Sequence, residues 1–250
     1  MAEPHIIATD DLTGAAAELT ARELSATVAQ KGEASFVLAG GGTPLALYRA
    51  LASPPLSLAV PWSRVHFFWG DERLVPPGDP GSNYTAAAET LLTPLAIPTS
   101  HIHRMRGELP ALEAEADYAE QLRDWAKAHD PGAPHPWPRF DLVLLGLGSD
   151  GHTASLFPGS TPATAGPVAA VTADYQGRPA GRVTLTPLAL NDAHHVVFLV
   201  SGSGKADAVY NTLHRDDPSR FPAQRIRPGK GRVTWLLDRA AASMLDRPLP

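Results

Sequence analysis

The chain has 250 residues, 44% of them hydrophobic, a formal net charge of -5 and no cysteine. That length and apolar content suffice for one large core; the negative balance gives no general attraction to nucleic acid or to an anionic membrane, and the lack of thiols excludes disulfides, thiolate nucleophiles and cysteine zinc sites. Residues 1–5 carry no basic-then-apolar leader pattern and no uninterrupted apolar run reaches membrane-spanning length, so a cytoplasmic location is expected.

A short strand is expected over 6–8, followed by an amphipathic helix over 10–30 that Asp10 or Asp11 caps and Gly32 stops. A strand over 34–39 runs into the loop Gly40-Gly41-Gly42-Thr43-Pro44, and Pro44 opens a helix that reaches 52. A third strand covers 65–69. The loop 70–81 then leads to a helix capped by Ser82 or Asn83 and running to about residue 92, and a further helix covers 110–129. The segment 130–139, with four prolines, resets the chain before a strand that starts at Phe140. Val143, Leu144 and Leu145 have no polar residue between them, as in a strand covered by helices on both faces. Later strands are expected at 168–172, 183–186, 195–200 and 233–237, with a helix over 205–214. This alternation argues for a doubly wound, mostly parallel α/β sheet with helices on both faces. The 130–139 segment offers a domain boundary, but neither half alone completes a sheet, so residues 1–250 are expected to form one α/β domain.

The chemistry gathers in loops. Behind the Phe140 strand, Gly146-Leu147-Gly148-Ser149-Asp150-Gly151-His152 delivers an acid and an imidazole to the carboxyl end of a strand, where open α/β sheets bind their ligands. Gly146, Gly148 and Gly151 match the dinucleotide spacing G-x-G-x-x-G, but Pro158, Pro162 and Pro167 leave no room for the long helix that motif requires. Two other glycine loops, Gly40 to Pro44 and Ser201-Gly202-Ser203-Gly204-Lys205, also precede helix starts, where exposed N–H groups and the helix dipole favour an anion. Thr43 adds a hydroxyl and Lys205 a full charge. The Lys205 loop is not a phosphate-binding P-loop, because Leu199 and Ala206 stand where glycine and a hydroxyl residue are needed. In Trp69-Gly70-Asp71-Glu72-Arg73, Arg73 can grip a phosphate or carboxylate with two donors, the alternative being a surface ion pair with Asp71 or Glu72. Arg182, at the start of a strand, is a weaker candidate.

His101 with His103 and the adjacent His194 and His195 have no carboxylate at ligand spacing, and neither HExxH nor G-x-S-x-G occurs. Neither a metal site nor a serine nucleophile is therefore expected.

Taken together, Leu38 to Pro44, Trp69 to Arg73 with Ser82-Asn83-Tyr84, Leu145 to Pro158, and Arg182 to Thr186 resemble the ordered motifs of the 6-phosphogluconolactonases. These group with glucosamine-6-phosphate deaminases and ribose-5-phosphate isomerases in a sugar-phosphate isomerase-like fold. The resemblance runs from about residue 5 to residue 245; Gly148 to Ser155 is its most specific segment. Ala39 departs from it, standing where a serine is common. The resemblance implies hydrolysis of 6-phospho-D-glucono-1,5-lactone, with no cofactor or metal. It assigns His152 as base with Asp150 orienting it, and Gly41, Gly42, Thr43, Asp71, Arg73, Asn83, Gly148, Arg182 and Lys205 as substrate-binding residues. A phosphosugar lactone is the implied partner, with a functional link to glucose-6-phosphate dehydrogenase. Related deaminases add an acid soon after the histidine; here none occurs between His152 and Asp174. The alternatives are a phosphosugar deaminase or isomerase and a sugar-phosphate sensor, the latter disfavoured because no helix-turn-helix precedes the sheet.

Overall fold

The computed structural model describes residues 3–129, 131–132, 134–160, 165–175 and 177–245. Strand β1 (His5–Thr9) enters helix α1 (Leu12–Lys31), where the Asp11 carboxylate accepts from the Gly14 N–H at 2.8 Å. Gly32, at φ 88°, ends the helix in the left-handed region, its N–H bonded to Val28 O. Strand β2 (Ala34–Leu38) is buried at every position and leads through the first glycine loop into α2 (Gly42–Leu51) and the short α3 (Leu56–Ala59). Strand β3 (Val65–Trp69) follows, equally buried.

The segment 70–81, expected to be loop, contains a strand, β4 (Asp71–Arg73). Gly70 makes the change of direction. Its N–H donates to Leu38 O at 2.9 Å and its carbonyl accepts from Leu185 N at 2.8 Å, so this residue joins two sheets. Ser82 then caps α4 (Asn83–Ala87), its side chain accepting from Thr85 N, and the helix continues as a π-helical turn over Ala88–Leu92. Next come α5 (Ala111–His129), β5 (Leu142–Leu145), β6 (Val168–Thr172), β7 (Gly181–Leu185), α6 (Pro187–Leu190), β8 (His195–Val200), α7 (Ala206–His214) and β9 (Arg232–Asp238).

The larger sheet has six parallel strands in the order β1-β9-β8-β5-β2-β3. Three of its four inner strands, β2, β5 and β8, are buried throughout, the pattern of strands sandwiched between helices. β2 pairs directly with β5, so the sheet draws neighbouring strands from both sides of the 130–139 segment. Strands β6 and β7, expected in this sheet, instead pair antiparallel with each other and with β4 in a second sheet of three strands. The connection 173–180 explains it, being shorter than the dozen or so residues a parallel crossover needs. No helix among the described residues is long and apolar enough to cross a membrane.

Candidate active site

Because β5 lies between β2 and β8, the three glycine loops that follow these strands meet at one edge of the large sheet. They enclose a cavity of about 230 Å³, lined by Gly40 to Pro44, Gly146 to Gly148 with His152, Ser201 with Lys205, and side chains from the small sheet. At the first loop, Gly41 has φ 108° and ψ 165°, a conformation that only glycine adopts freely, and the turn points the start of α2 at the cavity. Tyr48 fixes that loop from behind, its hydroxyl donating to Ala39 O and accepting from Ala39 N.

The second loop holds the imidazole. His152 Nδ1 lies 2.6 Å from Asp150 Oδ1, and the His152 N–H donates to the same oxygen at 3.2 Å. Burial works against the Asp150 carboxylate, but the hydrogen bonds and charge of His152 outweigh it and hold its pKa below the usual value. With Nδ1 engaged, Nε2 is the nitrogen left for chemistry. The ring is clamped between Phe157, stacked at 4.5 Å, and Tyr175, edge-on at 4.6 Å. Gly148 passes so close that a Cβ there would lie 2.0 Å from His152 Nδ1 and 2.4 Å from Asp150 Oδ1. Thr153 ties the far side down through its hydroxyl to Gly146 O at 2.8 Å.

Cations from both sheets face this dyad. Arg73, Arg178, Arg182 and Lys205 all line the cavity. Arg182 is buried, with Nη1 4.0 Å from Asp71 Oδ2 and its guanidinium over the Phe157 ring at 5.4 Å. Nε and Nη2 of Arg182 and Nε of Arg73 are buried without a hydrogen-bond partner among the described residues, the condition of donors built to receive an anion. Burial lowers the pKa of Lys205, with Asp150 opposing and Arg178 adding to the shift. Asp71 is pinned by Ser155, whose hydroxyl donates to its Oδ2 at 2.6 Å.

The expected residues divide into two groups. His152, Gly41, Gly42, Thr43, Asp71, Arg73, Gly148, Arg182 and Lys205 line the cavity, whereas Asp150 stands behind His152. Asn83 does not line it. Buried against the first glycine loop, Asn83 donates through Nδ2 to Asp71 O at 2.8 Å and so supports the cavity from outside. The surface ion pair weighed for Arg73 does not form: Arg73 Nη1 donates to Gly81 O, while Glu72 accepts from the N–H groups of Asn83 and Tyr84 and the Ser82 hydroxyl at the start of α4. Sequence reasoning passed over Tyr175 and Arg178, which reach the cavity from the tip of the β6–β7 hairpin. Ser155 lay in the most specific motif without being given a role, and the signal for Tyr175 and Arg178 was their closeness to Arg182 in the chain.

The other histidines lie elsewhere. His195 is buried with Nε2 2.9 Å from Thr234 Oγ1, and His194 Nε2 lies 3.3 Å from Lys31 Nζ. His101 and His103 stack with His66 and Phe68 at the opposite end of β3. Burial, then neighbouring imidazoles, push His66 and His103 down to about 4. A carboxylate does approach this cluster, from Glu33, which no local spacing indicated.

A family model for glucosamine-6-phosphate isomerases/6-phosphogluconolactonase matches residues 8–235. The chain is 39% identical to a 6-phosphogluconolactonase of Synechocystis, over 89% of each chain. It is also 39% identical to a 6-phosphogluconolactonase of Mycobacterium tuberculosis, over 94% of this chain and 95% of the other. The solved structure of 6-phosphogluconolactonase from Trypanosoma cruzi superposes with a TM-score of 0.85 at 30% identity, covering 98% of this chain and 97% of that one.

Proposed function

The chain belongs to the glucosamine-6-phosphate isomerase/6-phosphogluconolactonase family, and we propose that it hydrolyses 6-phospho-D-glucono-1,5-lactone to 6-phospho-D-gluconate in the oxidative pentose phosphate pathway. The observation that carries this reading is the 2.6 Å contact between His152 Nδ1 and Asp150 Oδ1 at the wall of a cation-lined cavity.

A δ-lactone is an activated ester, so hydrolysis needs a base for water and donors for the developing oxyanion. Asp150 accepts a hydrogen bond from the Nδ1–H of His152 and leaves Nε2 to take a proton from water as the water oxygen bonds to C1. The tetrahedral intermediate collapses with cleavage of the bond between C1 and the ring oxygen. That oxygen leaves as a hydroxyl by recovering the proton from the imidazolium, and the new carboxylic acid then ionises. Arg73, Arg182, Lys205 and the N–H groups around Gly42 and Thr43 hold the phosphate and the substrate oxygens. Asp150 is bonded to His152 and Asp71 to Ser155, and no acid occurs between His152 and Asp174, which disfavours a deaminase needing a further acid soon after the histidine.

We place the enzyme in the cytoplasm as a single catalytic unit, acting on lactone supplied by a glucose-6-phosphate dehydrogenase. The test follows lactone freshly generated by such a dehydrogenase. Acceleration well above spontaneous hydrolysis supports the reading, and a rate equal to the spontaneous one refutes it.

A further inference from the structure

At the amino ends of β2 and β3, away from the cavity, three ligand-bearing side chains converge from distant parts of the chain. Glu33 stands between α1 and β2, His66 lies on β3, and His129 ends α5. One donor atom from each lies within 4.8 Å of the other two. Glu33 Oε2 is 3.6 Å from His66 Nε2 and 3.5 Å from His129 Nε2. Those separations are long for hydrogen bonds. They are close to the edge of a tetrahedron of ligands bonded at 2.0–2.1 Å, which is about 3.3 Å.

The surroundings prepare the two imidazoles. His129 Nδ1 lies 3.0 Å from Trp125 O, so its N–H is held by a carbonyl and the Nε2 lone pair faces Glu33. A backbone carbonyl on the remote nitrogen is a common support for metal-bound histidine. His66 is 5% exposed, and its Nε2 has no hydrogen-bond partner among the described residues. Its Nδ1 lies 3.1 Å from His103 Nε2, which can accept a hydrogen bond from it.

We propose that Glu33, His66 and His129 bind one divalent transition-metal ion, of which Zn²⁺ suits the nitrogen and oxygen donors best, with water from the open side as fourth ligand. Without the ion, the Trp125 indole donates to His66 Nδ1 at 3.3 Å, so the His66 proton sits on Nε2. Binding selects the tautomer of His66 with its proton on Nδ1, which donates a hydrogen bond to His103 Nε2; His103 then carries its own proton on Nδ1, and Trp125 gives up its contact. The ion ties the end of α5 to the starts of β2 and β3. It lies about 13 Å or more from the reaction loops, since His66 precedes Gly70 by four strand residues. Its role is structural and separate from catalysis.

The test uses the full chain stripped with a chelator and dialysed against zinc chloride, with bound metal, tryptophan emission and Tm measured. One equivalent of zinc, a changed emission and a raised Tm are expected. His66 is buried and its loss endangers folding, so the variants are Glu33→Gln and His129→Ala. Each should weaken zinc binding by more than about tenfold and remove the rise in Tm, with lactone turnover unchanged. No zinc uptake, or uptake equal to the parent in both variants, overturns the proposal.

Discussion

Asp150 Oδ1 accepts two hydrogen bonds from His152, one from the ring Nδ1 at 2.6 Å and one from the backbone N–H at 3.2 Å. The carboxylate therefore fixes both the orientation of the imidazole and the turn that carries it. Only one residue separates the pair, so the loop itself builds the dyad, and the sheet has only to aim it.

Asp150→Asn keeps the shape and removes the charge. We expect kcat to fall roughly 10²-fold with KM little changed, because the amide can hold the wrong tautomer of His152. Stability should report the same contact. The Asp150 pKa is lowered in the folded protein, so its stabilisation is present above the ordinary aspartate value and disappears as pH falls through the lowered one. Denaturant unfolding of both proteins at neutral pH and at a series of pH values running well below about pH 3.9 checks this: the difference should shrink progressively in acid, and a difference constant over the whole series contradicts it.

Gly148→Ala places a methyl 2.0 Å from His152 Nδ1 and 2.4 Å from Asp150 Oδ1, so both side chains must shift. Since a misplacement of about 1 Å can cost 10²-fold, kcat should fall by that order while the chain still folds. Steady-state kinetics with circular dichroism will decide; normal turnover would show that the dyad tolerates displacement.

Lys205→Ala removes a cation from the rim of the cavity. Loss of a charged hydrogen bond costs roughly 1.5–3 kcal/mol, so KM for the phosphorylated lactone should rise roughly 10- to 100-fold, with kcat far less affected. Unphosphorylated gluconolactone is the control. Equal losses on both substrates would mean that Lys205 does not read the phosphate.

The sequence made the catalytic end of the large sheet legible because its signals are local. β2, β5 and β8 are apolar at nearly every position, and each runs straight into glycines, so the three loops could be placed at one edge before any pairing was known. The small sheet had no such signal. Its antiparallel pairing depends on the short 173–180 connection, and that hairpin delivers Tyr175 and Arg178 to the cavity. Asn83 shows the converse: it belongs to a recognisable motif, yet its side chain is spent on the backbone of Asp71. The Glu33, His66 and His129 cluster was invisible for a similar reason, because three elements far apart in the chain supply it.

Activity should survive thorough chelation. Among the described residues, the cavity wall presents four cationic side chains and a single histidine, while Asp71 is bonded to Ser155. Such a lining repels a divalent cation, and an activated lactone reacts with water without a Lewis acid. Turnover after prolonged dialysis against a strong chelator, assayed well below Tm, is the check. Lost activity that one divalent ion restores would replace the His152 mechanism with metal-activated water.

The most direct test of the account is kcat of His152→Ala beside the parent, on lactone generated in the cuvette by glucose-6-phosphate dehydrogenase, with spontaneous hydrolysis subtracted and folding checked by Tm. A positioned general base contributes roughly 10²–10⁴-fold, so kcat should drop by that factor while Tm and substrate affinity stay close to the parent values. A folded His152→Ala protein with parental kcat and an unchanged pH profile would contradict the assignment of His152 as the base.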